Sequence, residues 1–268
     1  MNGREQDWRD DLTLLREFIA EHQPYPRLFV TLSGADLYGF PSADGDYDMR
    51  GAHALPLRDM VAGSLRGGGL DTIRGMTVEV LDKNRAPEMD LVSHDIGKFL
   101  RLALKGNGYV LEQLFSPLVV ETSPWHEELK TIGAGLVTAK VYHHYRGFFN
   151  NQEKLYDRLG EKRVKGLLYR YRVALTGIHA LRTGAIEANI VALNDWFGSE
   201  RIRELIALKT SAERGVLEDD TPYLKEIASL EPQLDAAFAE TDLPMQVAGE
   251  TRQRVEEFLW RCRLAHAE

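Results

Sequence analysis

Residues 33–48 of this 268-residue chain read SGADLYGFPSADGDYD and carry most of the information about its architecture. The apolar run just before them, RLFVTL at residues 27–32, predicts a buried strand that ends in a glycine turn. A second predicted strand then begins with two aspartates separated by one residue, Asp46 and Asp48. Because side chains two residues apart in a strand point to the same face, we expect the two carboxylates to converge.

Converging carboxylates are typical of a site for a hard divalent cation. Magnesium prefers oxygen ligands and takes one or two carboxylates, with phosphate oxygens and water completing its shell. A third carboxylate, Asp90, lies in a later predicted strand, where it would complete a two-metal clamp or serve as a base. Gly34 and Gly39 would let the backbone approach a triphosphate closely. The sequence therefore predicts a Mg²⁺ or Mn²⁺ site formed by Asp46, Asp48 and Asp90.

The same stretch resembles the signature of the DNA polymerase β superfamily of nucleotidyltransferases, which is Gly-Ser, a short gap and then Asp-x-Asp. Gly34 stands at the glycine, and Asp46 and Asp48 stand at the aspartates. The resemblance extends to the RNA-repair-associated branch called RlaP through the runs SGADLYGFPSADGDYDMRG, DLVSHDIGKFLRLALKGNGYVLEQLFSP and YHHYRGFFNNQ. In that branch Asp90 would be the third aspartate. The resemblance implies metal-dependent transfer of a nucleotide from an NTP to a hydroxyl, with a broken RNA end as one candidate acceptor.

One position departs from the signature, because Ala35 stands where the family has its serine. A lost hydrogen bond to a charged phosphate weakens binding by about 1.5–3 kcal/mol. Ser33 lies on the other side of Gly34 and remains a candidate NTP contact without being a direct substitute. Arg50 is a further candidate, and two interpretations stay open for it: an ion pair with Asp48 or contact with a phosphate.

A basic segment follows at residues 140–172, with nine lysines and arginines against three acidic residues, in a chain of net charge −8. Aromatic and basic residues interleave in it, as in surfaces that stack bases and bind phosphates. The alternative is an amphipathic helix that packs its aromatic side chains on the catalytic half. We take the segment as a candidate RNA contact, with Arg146 and Lys165 as candidate triphosphate or RNA ligands.

The pattern of elements predicts an α+β fold with two domains. Residues 1–125 would form a nucleotidyltransferase domain with a mixed sheet, and residues 126–268 an all-helical domain. The predicted helical segments of the second half are 126–160, 161–183, 199–213, 221–240 and 246–266. Pro232 is expected to split the fourth of these.

Several side chains have a simple structural interpretation. Glu112 is expected to be an exposed carboxylate, and Tyr38 either stacks on a base or packs under the glycine turn. The four tryptophans are expected to be packing anchors: Trp8, Trp125, Trp196 and Trp260.

Composition restricts the class of protein. The single cysteine, Cys262, excludes a disulfide within the chain and a multi-cysteine zinc site. No run approaches the roughly 18 apolar residues of a membrane span, and the first residues do not resemble a signal peptide. These features predict a cytoplasmic protein without membrane contact.

Other functions remain open at this stage. Ala35 favours a non-catalytic nucleotide- or RNA-binding protein that has kept the fold. An antitoxin-like interaction protein, in which the helical half supplies the working surface, is a second alternative. A metal-dependent phosphohydrolase is weaker, because no histidine-rich ligand motif is present. The sequence leaves open which NTP is used, whether the acceptor is RNA, protein or a small molecule, and the oligomeric state.

Overall fold

A mixed sheet forms the centre of the first half of the protein. The computed structural model describes residues 7–41, 46–65, 72–160, 162–211 and 215–267. Within them the sheet has five strands in the order β3-β4-β2-β1-β5. The strands are β1 (Arg27–Leu32), β2 (Tyr47–His53), β3 (Thr77–Asp82), β4 (Met89–Asp95) and β5 (Val119–Glu121). Only the β2–β4 pair is parallel, and the other pairs are antiparallel.

Helices cover the sheet and make up the second half of the chain. They are α1 (Leu12–His22), α2 (Gly34–Tyr38), α3 (Leu57–Ser64), α4 (Ile96–Leu104), α5 (Gly108–Phe115), α6 (Pro124–Gly133), α7 (Val141–Leu159), α8 (Val164–Thr183), α9 (Ile190–Phe197), α10 (Glu200–Ser211), α11 (Thr221–Glu240) and α12 (Gly249–Ala265). A short 3-10 turn, Ala134–Leu136, follows α6. The predicted α+β class and mixed sheet are confirmed. None of the described helices has the length and apolar character needed to cross a membrane.

The central strands β1 and β2 are covered on both faces, because each face carries its own apolar layer. On one face Leu15 and Phe18 of α1 pack with Met49 of β2. On the other, Phe29 of β1 packs against Phe99 of α4 with ring centres 5.5 Å apart. An apolar run buried on both sides is what the sequence of β1 predicts.

The larger core runs without interruption from the sheet into the helical half. It contains Phe29 and Leu100 together with Leu168 of α8, Leu234 of α11 and Phe258 of α12. Side chains from both sides of residue 125 therefore share one apolar interior. The division into domains at 1–125 and 126–268 stays a prediction.

Two expectations for the helical half were wrong, and one helix was missed. The segment 126–160 contains two helices, α6 and α7, and α9 was not predicted. Pro232 does not split α11, which continues through it. Its neighbours Leu230 and Leu234 are fully buried, so packing holds the helix together despite the missing N–H donor of the proline.

Two tryptophans differ from their expected role. Trp196 is 45% exposed and Trp260 is 61% exposed, so neither is a buried packing anchor. Both lie on helices whose apolar residues at other positions already fill the core, such as Leu193 of α9 and Phe258 of α12.

Candidate active site

Two carboxylates meet where the parallel strands β2 and β4 run side by side. Asp48 and Asp90 are register partners, and partners in a parallel pair project to the same face. One guanidinium nitrogen, Nη2 of Arg50, hydrogen bonds to both carboxyl groups. Their side chains keep 32% and 27% of their surface exposed, so a ligand can reach both from solvent.

Arg50 bridges this pair of carboxylates. Its Nη2 donates to Asp48 Oδ1 at 2.9 Å and to Asp90 Oδ2 at 2.7 Å. Nε donates to the Tyr109 hydroxyl at 2.6 Å, and Nη1 donates to the Asp90 carbonyl oxygen at 2.9 Å. The guanidinium is therefore held by both strands and by α5. Of the two interpretations of Arg50, the structure shows the ion pair, and it includes Asp90 as well as Asp48.

The electrostatics of the site favour a cation. Burial raises the pKa of the Asp48 carboxyl, and the neighbouring carboxylates of Asp90 and Asp46 raise it further, whereas Arg50 lowers it. Repulsion from Asp90 and Asp46 thus adds to the effect of burial in disfavouring the charged form of Asp48. A divalent cation at this point would relieve the repulsion between the carboxylates.

Asp46 lies next to this pair but outside the sheet. It is exposed, directly before the first residue of β2, and the preceding residues 42–45 fall outside the described residues. In the part of the chain that the structure describes, no group of three His, Cys, Asp or Glu side chains is arranged as a metal site. The donor set thus consists of Asp48 and Asp90, with Asp46 close in sequence. Two carboxylates suffice for Mg²⁺ that also binds substrate phosphates, so these residues fit the ion.

The glycine turn packs directly against Asp48. Gly34 has a φ of +58°, and a Cβ atom built on it would lie 1.8 Å from Asp48 Oδ2. Only glycine satisfies both the left-handed backbone and this close approach. The Ser33 N–H donates to the Asp48 carbonyl oxygen at 2.8 Å. The Ser33 side chain is buried, so it faces the protein interior.

The second glycine of the turn touches the helical half. Gly39 ends α2 with a φ of +84°, and a Cβ there would lie 2.4 Å from Asn189 Oδ1. That oxygen also accepts a hydrogen bond from the Val191 N–H at 2.9 Å, at the start of α9. The position of the turn therefore depends on contacts with residues beyond 125.

A buried charged group supports the turn from behind. The Arg172 guanidinium of α8 lies 3.8 Å from the centre of the Tyr38 ring. Its Nη1 donates to Glu112 Oε1 at 2.9 Å, and the Tyr145 hydroxyl donates to the same oxygen at 3.1 Å. The expected exposed position of Glu112 was wrong: the residue is 3% exposed because it is the counter-charge of Arg172. Tyr38 packs under the turn, which is one of its two expected roles.

The two basic candidates of the second half lie apart from the carboxylates. Arg146 forms ion pairs with Glu231 and Asp235 of α11. Lys165 is exposed in the first turn of α8 and lines a cavity there. The structure does not bring either side chain into contact with Asp48.

Two tyrosines at the site were not predicted. Tyr109 accepts the hydrogen bond from Arg50, and its place in the run KGNGYV gave no signal of this contact. Tyr169 of α8 lies with its ring 5.6 Å from that of Tyr38 and 5.5 Å from that of Phe40. Burial raises the pKa of Tyr169 to about 12, and Asp48 adds to that rise through its charge. Tyr169 therefore packs against the glycine turn.

Comparison with known proteins identifies the family of the chain. The Methanocaldococcus jannaschii protein MJ0002, itself uncharacterized, is 35% identical over 162 residues, which cover 60% of this chain and 63% of the relative. The chain thus spans less than two thirds of that relative.

A crystal structure of a nucleotidyltransferase-like protein from Exiguobacterium sibiricum aligns over 96% of this chain and 77% of that one, with 10% identity and a TM-score of 0.30. A similarity at that level is too weak to support any conclusion about this chain. Residues 10–261, by contrast, match the family described as RlaP, the RNA repair pathway DNA polymerase beta family. The match covers nearly the whole chain, and the protein therefore belongs to the RlaP family of polymerase-β-type nucleotidyltransferases.

Proposed function

We propose that the protein is a Mg²⁺- or Mn²⁺-dependent nucleotidyltransferase that moves a nucleotide from an NTP to the hydroxyl of an RNA end. The observation that carries the proposal is the register of β2 and β4, which sets Asp48 beside Asp90 directly over Gly34. Membership of the RlaP family supports RNA as the acceptor.

In the proposed reaction the acceptor oxygen attacks the α-phosphorus of the NTP. A phosphorus–oxygen bond forms to the acceptor, the bond between the α-phosphorus and the bridging oxygen breaks, and pyrophosphate leaves with that electron pair. The hydroxyl proton passes to the carboxylate of Asp90. A bound divalent cation would supply charge neutralisation for the phosphates and for the attacking oxygen.

The residues of the chain act by binding and positioning. Asp46, Asp48 and Asp90 would hold the cation, and Arg50 would keep Asp48 and Asp90 in one orientation through its two hydrogen bonds. The turn from Gly34 to Gly39 would seat the triphosphate through backbone N–H groups. Rate enhancement of this kind comes from orientation and from fixed charges.

Transfer of label tests the proposal. The full chain is incubated with each α-³²P-labelled NTP, Mg²⁺ or Mn²⁺ and a pool of RNAs and proteins, in parallel with the variant Asp48→Asn/Asp90→Asn. Asparagine keeps the shape of each side chain and removes its charge. We expect label on RNA with the wild type and none with the variant, while circular dichroism shows both folded. Equal labelling by both proteins would refute the assignment of the carboxylates.

One rival has a specific observation in its favour. Arg50 places a permanent positive charge between Asp48 and Asp90, and Ala35 lacks the hydroxyl of the family signature. Both features suit a protein that binds nucleotides without reacting. NTP binding that is unaffected by chelation of divalent cations, with no transfer to any acceptor, would identify this case.

A further inference from the structure

A cavity of about 260 Å³ opens between the C-terminal half of α7 and the start of α8. Seven residues line it: Gln152, Leu155, Tyr156, Arg163, Lys165, Gly166 and Tyr169. Pockets for drug-sized ligands start at roughly 300 Å³, so this one suits a single planar group rather than a whole nucleotide.

Two tyrosine rings form rigid parts of the cavity wall. Tyr156 is fixed by its hydroxyl, which donates to Asp220 Oδ2 at 2.8 Å. Its ring rests against Gly166, where a Cβ atom would come within 2.6 Å of the ring. Tyr169 is fixed on its other side by the rings of Tyr38 and Phe40. Aromatic walls held in place in this way are surfaces on which a base can stack.

Tyr169 also joins the cavity to the glycine turn. The side chain lines the cavity, and its ring packs against the rings of Tyr38 and Phe40. A group bound against Tyr169 is therefore one ring away from the turn that begins with Gly34, which contacts Asp48. No residue from Asp48 to Asp90 contributes to the lining, so the cavity is separate from the metal ligands.

Two cationic side chains, Lys165 and Arg163, line the cavity. Lys165 is exposed and has no ion-pair partner among the residues that the structure describes. The triphosphate of an NTP must lie at the carboxylates for the reaction to occur, which leaves Lys165 for another phosphate. Phosphates at successive positions are a property of a nucleic-acid strand.

We propose that this cavity is a subsite for the acceptor, which binds the terminal base of a single-stranded RNA while Lys165 and Arg163 contact its phosphates. The inference deepens the proposed function and rests on it. The 140–172 basic segment supplies the cavity walls Tyr156 and Tyr169, and the inference assigns to it a role in orienting the acceptor.

Equilibrium binding of a short fluorescein-labelled RNA tests this subsite without requiring transfer. Two RNAs are compared by fluorescence anisotropy, one complete and one that lacks only its terminal base. Stacking of a base on aromatic side chains corresponds to about a tenfold change in affinity or more. We therefore expect the wild type to bind the complete RNA about tenfold more tightly than the abasic one.

Three variants locate the effect. Gln152→Trp fills the cavity with a ring, so the two RNAs should bind this variant with equal affinity. Lys165→Glu should weaken both RNAs by a similar factor, because it removes a phosphate contact. Arg254→Glu is the matched control: it makes the same change of charge on an exposed side chain of α12, and both RNAs should bind it as they bind the wild type.

Several outcomes would overturn the subsite. Equal binding of the two RNAs by the wild type, or a persistent preference in Gln152→Trp, would exclude base binding in the cavity. Loss of NTP binding with unchanged RNA binding in Gln152→Trp would assign the cavity to the base of the NTP. Failure of the proposed function has a different signature: RNA binding would follow the expected pattern while no label is transferred. Transfer to a non-RNA acceptor without RNA binding would instead retain the transferase and remove the subsite.

Discussion

Replacing Gly34 with alanine tests whether the glycine turn sets the position of the Asp48 carboxylate. The added Cβ would lie 1.8 Å from Oδ2, whereas ordinary contact begins at 3.4 Å, so the two atoms must separate by about 1.6 Å. Misplacement of a reacting group by about 1 Å lowers rates on the order of 10²-fold. We therefore expect nucleotide transfer by Gly34→Ala to fall at least on the order of 10²-fold.

The left-handed backbone of Gly34 makes its own contribution to stability, and a control variant can separate this contribution from the effect of the added Cβ. A left-handed φ costs a residue with a Cβ about 1–2 kcal/mol. The same cost applies to an alanine placed at Gly198, which has a φ of +83° and nothing within 4 Å of an added Cβ. Gly198→Ala should thus lose a few degrees of melting temperature and keep full transfer activity. Gly34→Ala should lose at least as much stability and most of the activity.

The assay is label transfer from the NTP that proves active, measured with melting curves of both variants. Transfer by Gly34→Ala at the level of Gly198→Ala would refute the reasoning, because the carboxylate position would then not depend on the missing Cβ. Recovery of the activity at higher Mg²⁺ concentration would place the defect in cation binding.

Further predictions concern stability and the basic residues. Glu112→Ala leaves the buried Arg172 without its counter-charge and should lower the free energy of unfolding by about 3–5 kcal/mol in urea titrations. The double variant Glu112→Leu/Arg172→Met should recover most of that loss, whereas an unchanged free energy of unfolding in Glu112→Ala would contradict the ion pair. Burial lowers the pKa values of His53 and His94 to about 4, so the unfolded chain binds protons that the folded chain does not. The free energy of unfolding should therefore be constant above pH 6.5 and fall as the pH drops towards 4, by on the order of 2–3 kcal/mol per histidine. Urea titrations at several pH values that show no such decline would exclude neutral buried histidines. Arg146→Ala breaks partly exposed ion pairs and should cost less than about 1 kcal/mol, with a smaller effect on RNA binding than Lys165→Glu in the same anisotropy assay.

The strand at residues 27–32 was predictable because its sequence is an apolar run bounded by turn residues, and it corresponds to β1. The two strands predicted around the aspartates correspond to β2 and β4. β5 has only three residues, too few for any pattern to show.

Only the parts of the site that depend on the spacing of nearby residues in the sequence were predictable. The spacing of Asp46 and Asp48 is a local feature, but the meeting of Asp48 with Asp90 depends on the register of two strands. The contacts of Arg146 depend on still more distant positions, since Glu231 lies 85 residues away and Asp235 lies 89 residues away. Nothing in a sequence window shows that those acidic side chains face it.

The ion pair between Asp95 and Arg263 ties the last helix to the end of β4. Asp95 is fully buried, and Arg263 Nη1 donates to its Oδ2 at 2.7 Å. During synthesis the strand that carries Asp90 and Asp95 leaves the ribosome well before α12. Until Arg263 emerges, the Asp95 carboxylate has no counter-charge and must stay hydrated or protonated. We therefore expect burial of the Asp95 end of β4 to be completed only after α12 has been translated.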